Sequence, residues 1–261
     1  MGLSRTSQRR MNKMQRYFIN ESLSDDHQIT LPKDVAHHFV TVLRANEGDQ
    51  CELVLNDHQA YQCTLIDVEH AIVQVQKQLK QNAELPLQVT LACGLPKTKD
   101  KPELIVQKGT ELGATEVIFF ESDRSVSHWN NGKQSKKIAR LQKIADGAAE
   151  QSHRNQIPQI KYLPNLATLL EEVQADKKVV AWEESAKRGE TSHLAQMLND
   201  SHPNEKWLAI FGPEGGLSEQ EISQMKTYQV QPVGLGPRIL RTETAPLYFM
   251  SAVSFATELN H

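Results

Sequence analysis

Two segments near the C-terminal end of the 261-residue chain combine glycines with charge in a way suited to holding a ligand. The first, Phe211-Gly-Pro-Glu-Gly-Gly-Leu217, sets Gly212, Gly215 and Gly216 around Pro213 and Glu214. It follows an apolar run and precedes Ser218-x-x-Glu221, a capping-box signature that starts a helix. Backbone without Cβ atoms can approach a ligand closely and offer its N–H groups to a polar edge. Taken alone, the same loop is an ordinary strand-to-helix turn. The second segment, Gly234-Leu-Gly-Pro-Arg-Ile-Leu-Arg-Thr-Glu-Thr-Ala245, also leads into an apolar helix and carries Arg238, Arg241 and Glu243 beside it. Two arginines at such a place suit an anionic group better than a packed core. Neither loop is a nucleotide fingerprint. The chain has no G-x-x-x-x-G-K-[ST], and Gly234-x-Gly236 lacks the third glycine of the dinucleotide motif, which disfavours ATP and NAD.

The elements that must position these loops alternate. Strands are predicted at 88–93, 116–120, 178–182 and 208–211. Helices are predicted at 102–112 (stopped by Gly113), 136–151, around 194–198, after Ser218, and at 246–259. Alternation of this kind means an α/β domain with a mostly parallel sheet, here over residues 84–261. Residues 14–83 read differently. Short β-rich runs at 51–55, 60–68 and 71–79, and a helix after Pro32 carrying Val35, Phe39, Val40 and Leu43, predict a small β-barrel. The polar stretch 80–84 is the expected linker. Residues 1–13 are basic and without an apolar core, and are expected to be a disordered extension or tag outside the fold.

The net charge of −3 conceals segregation. Between Arg124 and Lys161 there are eight Lys or Arg against two Asp or Glu, with acidic sections on either side. Such a run is usually a solvated helix face. Three cysteines, Cys51, Cys63 and Cys93, with no C-x-x-C spacing argue against a disulfide framework or a zinc site and for a reducing cytoplasm. His37 and His38 are adjacent and would diverge on a helix, so no metal is expected. The charge-free stretch 244–257 is too short to span a bilayer, and no membrane role is expected.

GPEGGLSEQE followed by LGPRILRTETA resembles the signature loops of the RsmE family, 16S ribosomal RNA (uracil-N3)-methyltransferases of the SPOUT superfamily. Lys108-Gly-Thr-Glu-Leu-Gly113, Ser122-Asp-Arg-Ser-Val126 and Glu150-Gln-Ser-His-Arg154 agree with that pattern, as do His38, Leu43-Arg44 and Gly48 in the N-terminal section. The resemblance runs from about Gln15 to the end; the extension before it is a departure. It implies a SPOUT domain with a deep trefoil knot, a small PUA-like RNA-binding barrel, and S-adenosylmethionine as cofactor. Gly212, Pro213, Glu214, Gly215, Gly216, Leu235, Gly236, Ile239, Leu240 and Thr244 would hold the cofactor, largely through backbone groups. It further implies a homodimer acting on 16S rRNA or the 30S subunit. Arg124, Lys133, Lys136, Lys137, Arg140 and Arg154 would then contact RNA, with Arg124 and Arg154 alternatively beside the target base. Rival readings are another SPOUT methyltransferase, acting on a ribose 2′-oxygen or a tRNA base, and a catalytically silent ribosome-assembly factor.

The resemblance also sets the chemistry to be explained. Methyl transfer from a sulfonium is a direct displacement and needs no metal. Uracil N3 must lose a proton. Arg241 stays protonated, so it suits stabilisation of charge spreading onto the uracil oxygens. Glu243 could accept the proton, orient Arg241, or simply place negative charge at a helix N-terminus, and deprotonation through solvent is equally open. Thr244 is expected to cap the final helix.

Overall fold

The computed structural model describes residues 14–182 and 193–260; the expectation for residues 1–13 lies outside them. The chain divides into two compact units, Met1–Asn82 and Ala83–His261.

The first unit contains β1 (Gln15–Phe18), β2 (Gln28–Thr30), β3 (Gln50–Val54), β4 (Ala60–Asp67) and β5 (Ile72–Gln78), joined in the order β1-β3-β4-β5-β2. Only the β1–β3 pair is parallel. Period-two alternation builds its core. Val73 and Val75 point inward from β5 and meet Cys51, Leu53, Cys63 and Leu65, while the intervening glutamines face out. A short helix, α1 (Lys33–Ala36), continues as a π-helical turn over His37–Val42 and adds Val35 and Phe39 to this core. The wider turn rotates the next residues away from the stripe, so Leu43, expected on the same face, is exposed. The buried Arg16 is matched across β1–β3 by Glu52, its register partner, with Nε 2.7 Å from Oε2.

The second unit runs β6 (Gln88–Gly94), α2 (Asp100–Glu111), β7 (Glu116–Phe120), α3 (Asn131–Gln151), β8 (Gln159–Leu163), α4 (Leu166–Glu172), β9 (Lys177–Ala181), α5 (His193–Asn199), β10 (Lys206–Phe211), α6 (Glu219–Thr227), β11 (Gln231–Val233) and α7 (Thr244–Ser254). A π-helical turn over Phe255–Leu259 extends α7. The strands form one sheet in the order β11-β9-β10-β6-β7-β8, every pair parallel. Both faces are covered, which is why the central strands are apolar throughout. Val117, Phe119, Trp207, Ala209 and Phe211 enter one core beneath α2, α3 and α7; Ile118, Phe120, Leu208 and Ile210 enter the other beneath α4 and α6.

Three elements of the second unit carry no clear signal in the sequence. β8 and β11 are the two edges of the sheet: β8 alternates polar and apolar, and β11 holds Pro232, which only an edge tolerates. α4 has seven residues, too few for a clear helical period. Helix α3 begins five residues before the predicted start. No described helix is long and apolar enough to cross a membrane.

Candidate functional site

The glycine loops leave the carboxyl ends of β10 and β11, on the edge where open parallel sheets bind ligands. In the first, a bond from the Gly216 N–H to the Pro213 carbonyl (2.8 Å) closes the turn, with Gly216 at φ +69°. Its neighbour across the sheet dictates a further glycine. A Cβ on Gly94, at the end of β6, would lie 2.5 Å from Pro213 Cδ and 2.7 Å from Pro213 N. The loop then hands over to α6 through a complete capping box: Ser218 Oγ accepts from the Glu221 N–H (3.1 Å), and Glu221 Oε2 accepts from the Ser218 N–H (2.8 Å). Buried Glu221 also accepts the Asp123 N–H (3.1 Å), and the Ser218 hydroxyl donates to Asp123 Oδ2 (2.6 Å). The loop after β7 is thereby fastened to the start of α6. In the second loop the Arg241 carbonyl accepts from the N–H groups of Thr244 (2.9 Å) and Ala245 (3.0 Å), turning the chain into α7.

Between the loops lies an open cleft of about 1410 Å³. That exceeds the roughly 300–1,000 Å³ of a single-ligand pocket, leaving room for a cofactor and a second reactant. Gly212, Pro213, Glu214, Gly215 and Gly216 form one wall; Leu235, Gly236, Ile239, Leu240 and Arg241 form the other. Trp182, at the end of β9, Thr242 and Lys101 also line it, three residues that sequence reasoning missed. Lys101 sits in Lys97-Thr-Lys99-Asp-Lys101, a run with no motif to single it out.

Several predicted residues are placed otherwise than expected. Thr244 stands exposed in the first turn of α7, off the cleft wall, and the cap position belongs to Glu243, whose side chain makes no capping bond. The wall takes the buried Thr242 in place of Thr244. Glu243 is also off the wall, because its carboxylate turns toward Lys101, with Nζ 3.1 Å from Oε2. The same ammonium lies 2.8 Å from Glu214 Oε1, and the Lys97 N–H reaches both Glu214 oxygens (3.2 and 3.1 Å). The bond to Glu214 is the chief reason the Lys101 ammonium is raised above the usual lysine range. Burial pushes the Glu214 carboxyl up, but Lys101 and the backbone donors outweigh it and hold it below its ordinary value.

Of the residues expected to contact RNA, Arg154 is corrected outright. It is 1% exposed. Its guanidinium pairs with Glu84 and donates to the carbonyls of Thr110 (3.2 Å) and Ala114 (2.5 Å), stitching the start of this unit to the α2–β7 turn. That junction needs a buried cation, which a charge count cannot distinguish from a surface one. Arg124 is exposed and lines the cleft, where Nη1 donates to the Gly215 carbonyl (3.2 Å). Lys133 and Lys136 are exposed on the first turns of α3, and Arg140 pairs with Glu103 (2.8 Å). The Lys137 ammonium sits 4.8 Å over the ring of Trp129, which stacks on Tyr162. Burial, then repulsion from Lys99 and Lys133, pushes Lys137 below the usual lysine range. These lysines gather where α2 and α3 begin, on the sheet edge that also carries the cleft.

A family model described as "RNA methyltransferase domain" matches residues 83–254, and one described as "RNA methyltransferase PUA domain" matches residues 31–77. The chain is 44% identical over 252 residues to the ribosomal RNA small subunit methyltransferase E of Bacillus subtilis (strain 168), covering 94% of this chain and 98% of that protein. A relative of the same name from Buchnera aphidicola (subsp. Acyrthosiphon pisum) is 33% identical, covering 92% of this chain and 93% of the relative. A crystal structure of ribosomal RNA small subunit methyltransferase E from Neisseria gonorrhoeae, bound to S-adenosyl methionine, matches with a TM-score of 0.78 at 29% identity. It covers 93% of this chain and 97% of that one.

Proposed function

The chain belongs to the ribosomal RNA small subunit methyltransferase E family, and we propose from this that it transfers a methyl group from S-adenosylmethionine to N3 of a uridine in 16S ribosomal RNA. The observation that carries the reading is the convergence of both glycine loops and Arg241 on one cleft too large for a single ligand.

The wall residues suit a flat, polar cofactor. The loop around Pro213 lines the cleft, the Arg124 side chain covers its Gly215 carbonyl, and Gly216 offers open space where a Cβ would stand. Trp182 and Leu235 add apolar surface for a ring or a methylene chain. The bound cofactor supplies an electrophilic methyl group on a sulfonium. The chain's own task is to present uracil N3 in line and to stabilise the anion left when its proton goes.

Arg241, exposed on the opposite wall, is placed to hold that charge on the uracil oxygens. It is a catalytic residue in this reading. Glu243 supports the loop from behind through Lys101, and the N3 proton passes to water in the open cleft. Lys133, Lys136 and Lys137 take RNA phosphates on the same sheet edge.

The assembled 30S subunit in the cytoplasm is the substrate, and the enzyme works as a homodimer. Tyr248, Ser251, Phe255 and Leu259 recur at helical spacing on the exposed side of α7 and its extension, an apolar stripe that a second copy would cover. Phe255→Glu should shift the sedimentation coefficient to that of a monomer. The decisive experiment for function is nucleoside mass spectrometry of 16S rRNA from a strain lacking the gene. Loss of 3-methyluridine, restored by the gene, is expected; its persistence would refute the substrate assignment.

A further inference from the structure

We propose that Lys101 is a positioning residue that locks the two ligand-bearing loops to each other. Its ammonium is the point at which they meet: 2.8 Å from Glu214 of the first loop and 3.1 Å from Glu243, which ends the second. One ammonium serves both carboxylates: it donates a hydrogen bond to Glu214 and holds the buried Glu243 Oε2, which has no hydrogen-bond partner among the described residues, by charge alone. The side chain comes from the first turn of α2, a helix that packs on the basic helix α3 and on α7. Lys101 is therefore anchored outside both loops. The Lys97 N–H, four residues earlier, reinforces the same grip on Glu214.

Take the ammonium away and two carboxylates face each other across the base of the cleft. They repel, and each loop loses its tie to α2. For a reaction that needs a donor methyl and an acceptor nitrogen in line, loosening the two walls independently is costly. A misplacement of about 1 Å can cost on the order of a hundredfold in rate. The kinetic consequence rests on the methyl-transfer reading; the mechanical one does not.

The test begins with hydrogen exchange on the full chain without cofactor. In Lys101→Met, residues 212–217 and 234–243 should both exchange faster, whereas Glu214→Gln should loosen the first segment more than the second, and Glu243→Gln the reverse. Lys101→Arg should restore both, since a guanidinium also reaches two carboxylates. A response confined to one segment, or no response, overturns the proposal. Methyl transfer supplies a second readout. Lys101→Met should lower kcat by about tenfold to a hundredfold, more than it raises KM for cofactor, with partial rescue by Lys101→Arg. In the unaltered enzyme, acid should lower the rate by protonating Glu214 and breaking its pair with Lys101; Lys101→Met has no pair to break, so that acid limb should disappear from its profile. A general folding defect would remove no such limb. Failure of the unaltered protein to transfer methyl would instead refute the enzyme reading, leaving the exchange result to judge the lock.

Discussion

The glycine loops and the basic tract both face the carboxyl edge of the sheet, yet they use charge in opposite ways. In the loops every carboxylate has its cation: Glu214 and Glu243 share Lys101, and Arg124 spends a donor on the Gly215 carbonyl. Such a site is held rigid before any ligand arrives. In the tract, Lys133 and Lys137 have no ion pair among the described residues, nor has Lys99 beside them, and Lys99 and Lys133 both repel Lys137. A group of like charges costs folding energy, and only a bound anion offsets it. Preorganised pairs position chemistry; gathered like charges wait for a polyanion.

The largest effect should come at Arg241, a cleft cation with no ion pair among the described residues. Arg241→Ala should lower kcat by about a hundredfold to a thousandfold, the scale of losing one donor to developing charge. Calorimetry should show cofactor affinity little changed. Equal losses in both would make Arg241 a cofactor ligand and erase its distinction from the first loop. Next is Arg154, which by sequence belongs to the basic tract and by structure does not. Arg154→Ala removes the cation paired with Glu84 and takes away the Ala114 carbonyl's guanidinium donor, and breaking a buried pair of this kind costs about 3–5 kcal/mol. Urea unfolding should show that loss. A variant of unchanged stability but weakened RNA binding would return Arg154 to the RNA surface.

Arg154 marks where sequence reasoning stops. The strands at 88–94, 116–120 and 206–211 were legible because burial on both faces demands unbroken apolar runs. The capping box at Ser218 and Glu221 was legible because its two bonds are local. Gly216 of the first loop was legible for the same reason: at φ +69° it closes a turn onto the Pro213 carbonyl only three residues back. What stayed hidden depends on partners far along the chain. Lys101 meets its glutamates 113 and 142 positions away, and Arg154 finds Glu84 at a separation of 70. Neither pairing has a periodicity or a motif, so one lysine in a run of three looked like the others. Thr244 failed differently. Helix boundaries shift by a residue or two, and the turn closed on the Arg241 carbonyl moved the cap to Glu243.

The smallest effect is also the one that most directly separates the two kinds of charge. Lys133→Ala combined with Lys137→Ala removes two cations that have no carboxylate partner among the described residues. Folding stability should change by no more than about 0.5 kcal/mol, because relief of the repulsion around Lys99 offsets the lost contact between Lys137 and the Trp129 ring. RNA affinity should fall for every sequence tested, since phosphates carry no base identity. The slope of log affinity against log salt should flatten by about 0.7 to 0.9 for each phosphate that is no longer neutralised. Cofactor affinity should not move, as neither lysine lines the cleft. If the double variant lost stability as Arg154→Ala does, the lysines would be structural, and the tract would be one more preorganised network. If it kept stability but also kept its salt slope, the polyanion would have to bind elsewhere. A stable protein with a flatter salt slope is the result that only an RNA-facing cluster produces.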